Sequence, residues 1–168
     1  YTRQLMLRYN QAHPDKRTLI MDTLDHPSYR DIKNVNITQL ARWSGGNSTY
    51  RIFDTDTEAV LSIINKNIWN ALIIFEDASK YIRRTLQDDV RRMVLDSKQK
   101  NVDMLFLFHG FSYVPPELFR IADDLVIFKC DNPAYRKTDI INYEEIAEAY
   151  RQVMKSKNPY ENVTVFLN

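Results

Sequence analysis

Three stretches of the chain show no polar alternation at all: 71–75 (ALIIF), 103–108 (DMLFLF) and 124–129 (DLVIFK). A strand with one face in water alternates apolar and polar positions, so an unbroken apolar run predicts a strand covered on both faces. The run 17–23 (RTLIMDT) reads the same way, with a carboxylate at its end. Shorter β-rich stretches at 49–53 (TYRIF) and 163–167 (VTVFL) add a strand each.

Between these runs the period changes to that of a helix. Residues 1–12 place Leu5, Met6 and Tyr9 on one side and stop at His13-Pro14. Thr55-Asp56-Thr57-Glu58 has the form of a capping box, starting a helix that runs through Val60, Leu61 and Ile64 to about Asn67. The stripe Ile82, Leu86, Val90, Met93, Val94 predicts one long helix over 80–100. A short helix is expected at 115–122, and another at 142–155 with Ile146, Tyr150, Val153 and Met154 inward. Residues 24–34 read as loop, 44–47 (SGGN) as a turn, and 35–43 fits neither period.

Strands alternating with helices predict an α/β fold with a mostly parallel sheet flanked by helices. No repeat, linker or second core interrupts 1–168, so one domain is expected. In such sheets ligands gather at the carboxyl ends of the strands. Those ends are Asp22, Glu76-Asp77, His109-Gly110 and Lys129-Cys130-Asp131.

Composition narrows the chemistry. Lys and Arg number 23 against 22 Asp and Glu, a net charge of +1, so there is no global attraction for nucleic acid. A single cysteine, Cys130, excludes an internal disulfide and a cysteine-based zinc site, and it suits a reducing, cytoplasmic setting. It reads best as a small buried side chain. No apolar run approaches the ~20 residues that would span a bilayer as a helix. Only three glycines occur, Gly45, Gly46 and Gly110, so no complete glycine-rich phosphate loop lies within the 168 residues.

Two adjacent carboxylates after one buried strand and an imidazole after the next suit phosphoryl transfer to water. One carboxylate holds hydrated Mg2+, its neighbour orients a water, and the third group senses a terminal phosphate. LIIFED at 72–77 resembles the second acidic motif of P-loop NTPases, in particular the additional-strand catalytic-glutamate class. Within that class it is similar to the FtsK/HerA translocases and the phage-type zonula occludens toxin-like ATPases. YTRQLMLRYN at 1–10 resembles the helix that follows the phosphate loop, and KRTLIMDT at 16–23 the second strand with its terminal acid. DSKQKNVDMLFLFH at 96–109 resembles the segment leading into the third motif, and VPPELFRIADDLVIFK at 114–129 the next helix and strand.

The resemblance implies a P-loop NTPase-like three-layer sandwich over 1–168, without its first strand and phosphate loop. It implies ATP and Mg2+ as cofactors, a homo-oligomeric ring, and DNA as the moved substrate. By position Glu76 holds the metal, Asp77 is the catalytic carboxylate, and His109 couples the γ-phosphate to the following helix. Two features depart from the pattern. Gly-x-x-x-x-Gly-Lys-Ser/Thr is absent and would fall just before Tyr1, and the acids run Glu then Asp where the family shows Asp then Glu.

Other readings of the same residues stand beside this one. Asp77 suits a helix cap. Arg84, Asp88, Arg92 and Asp96 recur every four residues as a solvated charge ladder, which leaves Arg83 or Arg91 as the arginine that would reach a neighbouring subunit's nucleotide. Lys98 and Lys100 are the local cations for a DNA phosphate. Apolar strand then His-Gly also opens an α/β-hydrolase oxyanion loop, but no Gly-x-Ser-x-Gly elbow accompanies it. The function alternatives are a non-hydrolysing scaffold on a degenerate NTPase fold, and a small metal-dependent hydrolase using Glu76, Asp77 and His109.

Overall fold

The computed structural model describes residues 1–43, 48–54, 56–82, 85–130 and 140–167. The expected turn at 44–47, Thr55, Arg83, Arg84 and Asp131 lie outside them. The chain divides into two compact units: Tyr1–Tyr81 with Gln87–Leu107, and Ile82–Leu86 with Phe108–Asn168.

The first unit is built on a four-stranded parallel sheet ordered β2-β1-β3-β4, with β1 Arg17–Met21, β2 Thr49–Ile52, β3 Ala71–Phe75 and β4 Val102–Phe106. β1 and β3 are buried at every position, as their unbroken apolar runs require. Arg17 tolerates that burial because its guanidinium donates to the carbonyls of Trp43, at 2.6 Å, and Trp69, and lies over the Trp43 ring. Burial lowers its pKa from the ordinary arginine value.

One face of the sheet is covered by helix α1, Thr2–Ala12. Met6 packs with Ile20, Leu72, Ile74 and Tyr29. The other face meets α3, Thr57–Asn67, and α4, Asp88–Asp96, where Ile64, Ile73 and Met93 line one small cavity. Helix, sheet and helix make three layers. Residues 35–43, ambiguous by period, contain the short helix α2, Ile37–Ala41. Asn36 and Gln39 form its capping box, each side chain accepting the other's backbone N–H.

Several expected elements are corrected. Where one long helix over 80–100 was expected, the described residues hold the α-helix α4. Asp88 and Asp89 fill its first turn and complement the helix dipole, while Gln87 ahead of them is extended. Ile82 and Leu86 are buried as the stripe requires, but they belong to the second unit. α3 is capped by Asp56, whose side chain accepts the Ala59 N–H at 3.0 Å. Among the described residues β4 pairs with β3 alone, and Met104, Leu105 and Phe106 are half-buried where full burial was expected.

The second unit holds α5 Pro116–Ile121, β5 Asp124–Phe128, α6 Tyr143–Lys155 and β6 Asn162–Phe166. β5 pairs antiparallel with β6, so the third apolar run belongs to a separate two-stranded sheet and not to the parallel one. Phe111, Phe119, Ile127, Ile146 and Val153 are the centre of this unit's own core. Ile146 and Val153 face it as expected, Tyr150 is half-buried against it, and Met154 is exposed.

Candidate functional site at the carboxyl ends of the parallel strands

Met21 of β1 and Phe75 of β3 are paired in register, so the residues that follow, Asp22 and Glu76, leave the sheet side by side. The Glu76 N–H donates to the Met21 carbonyl at 3.2 Å and the Asp22 N–H to the Ile52 carbonyl at 3.0 Å. Backbone pairing thus continues to the rim where the carboxylates stand.

The two acids meet different fates. Asp22 is wholly buried and fully engaged. It accepts the N–H groups of Leu24, at 3.2 Å, and His26, at 3.0 Å, and the Arg51 guanidinium at 3.1 Å. Arg51 also reaches Asp25 at 2.6 Å, and this hydrogen bond is the main reason the Asp25 carboxyl falls below its usual range. Asp22 is therefore the knot of the loop after β1, and His26 a residue of that loop.

Glu76 is only half satisfied. The Tyr29 phenol donates to its Oε1 at 2.8 Å. Its Oε2 is buried and, among the described residues, has no hydrogen-bond partner. A buried acceptor without a partner costs roughly 1–3 kcal/mol, so a water or an ion is the natural complement of such an atom. Burial first, and then the Glu76 carboxylate, push the Tyr29 hydroxyl pKa up, so Tyr29 stays a donor.

Asp77 sits in the left-handed region at φ 53°, a conformation that costs a non-glycine residue about 1–2 kcal/mol. The turn is held by the Ala78 N–H, which donates to the Leu107 carbonyl at 2.7 Å. Asp77 stands at the N-cap position of the 3-10 turn Ala78–Lys80, without a side-chain capping hydrogen bond to that turn. Its Oδ1 accepts the Ser79 hydroxyl, and its Oδ2 lies 3.6 Å from Lys80 Nζ. Tyr81, raised in pKa first by burial, also feels the negative charge of Asp22 and Asp77.

Helix α1 runs against the strands. Asn10, near its end, bonds Thr18 and Thr49 at the starts of β1 and β2. At its beginning the Arg3 guanidinium donates to the Ser28 carbonyl and to Asp31, beside Tyr29 in the loop after β1. The positive end of the α1 dipole therefore lies at the rim that carries Glu76.

The remaining candidates lie elsewhere. His109 is exposed and belongs to the second unit, in the segment between β4 and the 3-10 turn Phe111–Tyr113. Arg91 lies on the exposed side of α4, 4.0 Å from Asp88. Lys100 is not a solvent-facing cation. Its ammonium bonds Asn65 and Asp96 and lies over the Trp69 ring. Cys130 is half-buried against the second unit's core. Tyr29 is the site residue the sequence did not single out, and its spacing from Glu76 carries no motif.

The donor set fits Mg2+. A carboxylate oxygen is a hard ligand, and Mg2+ is bound by one or two carboxylates with retained waters. Among the described residues no group of three His, Cys, Asp or Glu side chains is placed to hold a metal ion.

The parallel sheet between helical layers is a fold this chain shares with solved NTPase structures. The chain is similar to genome-packaging NTPase B204 from Sulfolobus turreted icosahedral virus 2. In complex with AMPPCP that protein superposes with a TM-score of 0.70 and 12% identity, covering 99% of this chain and 84% of the other. Its complex with ATP-gammaS gives 0.68, 11%, 96% and 82%. B204 of Sulfolobus turreted icosahedral virus, a DNA-packaging ATPase, gives 0.64, 11%, 96% and 82%. At such identities the likeness establishes the fold. No protein-family model and no curated protein matches the sequence.

Proposed function

We propose that the chain is the ATP-binding and ATP-hydrolysing domain of a motor that moves or packages DNA in a viral or mobile-element setting. One observation carries this reading. Glu76 ends a fully buried parallel strand with one oxygen pinned and the other buried and unpartnered, at the rim where α1 begins. The fold likeness to nucleotide-bound packaging NTPases over nearly the whole chain supports it.

In this reading the 168 residues are one P-loop NTPase-like domain of the additional-strand catalytic-glutamate class, lacking its first strand and phosphate loop. A loop leading into α1 would enter at the Glu76 rim, where a helix N-terminus favours phosphate. Glu76 would hold hydrated Mg2+, which supplies charge neutralisation on the phosphates when bound. Asp77, turned by its left-handed backbone, orients and deprotonates the attacking water. His109 is the residue that the resemblance assigns to sensing the γ-phosphate. The working assembly is a cytoplasmic ring of identical subunits, with Arg83 or Arg91 reaching the neighbouring subunit's nucleotide.

Steady-state ATP hydrolysis by the full-length protein tests the assignment. Asp77→Asn is expected to lower kcat by roughly 10²–10⁴-fold, the range for loss of a general base, with ATP affinity kept. Equal turnover in the variant would show that Asp77 is not the catalytic acid.

A further inference from the structure

We infer that Tyr29 is a positioning residue for the metal-holding carboxylate, so that the loop after β1 sets divalent-cation affinity at the rim. The inference rests on the nucleotide-site reading above and deepens it.

The argument follows the hydrogen bonds. A glutamate at a strand end has three rotatable side-chain bonds, and a carboxylate left free would turn both oxygens toward water. Here the Tyr29 hydroxyl takes Oε1 at 2.8 Å, which fixes the carboxylate plane and leaves Oε2 as the one oxygen open to a further partner. Tyr29 cannot swing away, because it is 2% exposed and packed among Met6, Ile20, Leu72 and Ile74.

The short turn that carries Tyr29 is itself fixed by the neighbouring strand's acid. Asp22 accepts the Leu24 and His26 amides, and His26 Nδ1 in turn accepts the Ser28 N–H at 3.2 Å. The Tyr29 N–H closes the turn on the His26 carbonyl at 3.0 Å. The buried carboxylate of β1 therefore acts on the open carboxylate of β3 through one tyrosine. This gives Asp22 a reason to be buried and fully bonded while Glu76 beside it is not. Outer partners that orient a ligating side chain typically change metal affinity 10–100-fold when removed.

The test is Mn2+ affinity, by electron paramagnetic resonance, of the full-length protein with and without ATP. Tyr29→Phe keeps the ring and its packing. It is expected to weaken Mn2+ binding in the presence of ATP about tenfold, with metal-free ATP affinity unchanged. In a Glu76→Gln background the same substitution should have no further effect, since the carboxylate it positions is gone. Tyr29→Phe binding Mn2+ as tightly as wild type would overturn the inference and leave the nucleotide site standing. So would an equal loss in the Glu76→Gln background. Wild-type protein that binds no Mn2+ with ATP would overturn the nucleotide-site reading and this inference together.

Discussion

Asp22 and Glu76 leave adjacent strands in register, yet only one is spent on structure. Removing the spent one should cost stability. Asp22→Ala takes the acceptor from the Leu24 and His26 amides and from a largely buried Arg51. We expect a loss of about 2–4 kcal/mol, read as a lower urea midpoint. Asp103 behaves differently because it is partly exposed. Burial raises its pKa, but the hydrogen bonds from Lys16 and Tyr9 outweigh that and hold it below the usual value. A depressed folded-state pKa adds stability above the unfolded value near 3.9, and that stability disappears as pH falls through the folded value. Asp103→Asn should thus be less stable than wild type at neutral pH, with the gap closing below about pH 4. A gap that is independent of pH would contradict the pairing. Asp22, Glu76 and Asp77 were visible in the sequence because they follow apolar runs. Tyr29 was not, since 47 residues separate it from its partner and only the fold brings them together.

Elements were legible where one physical rule acted alone. β1 and β3 are buried on both faces, and their apolar runs say so. The stripe from Ile82 to Val94 misled because burial at helical spacing does not require a helix. Ile82 and Leu86 are buried in the second unit, and α4 starts only at Asp88. β5 looked like β3 in composition, but its partner is antiparallel β6, which an apolar run cannot specify. Helix α2 was hidden by its length of 5 residues, too short to show a period. Its signal was the Asn36-x-x-Gln39 box. Because so short a helix depends on its cap, Asn36→Ala should destabilise the first unit by about 1 kcal/mol. Loss of amide-exchange protection at Gln39 and Leu40 would report it; unchanged protection would show the cap to be idle.

At the scale of the whole molecule, the fold places chemistry on the sheet rim by topology alone. Parallel strands bring Asp22, Glu76 and Asp77 to one end, and α1, running the other way, brings its N-terminus to the same end. The proposed nucleotide site rests on that convergence. Its most direct test is equilibrium binding of a fluorescent ATP analogue to the full-length protein, with Mg2+ varied. The account predicts saturable binding that ATP displaces and Mg2+ tightens, with the Mg2+ dependence reduced about tenfold or more in Glu76→Gln. Absence of saturable binding, or a Mg2+ dependence untouched by Glu76→Gln, would contradict it.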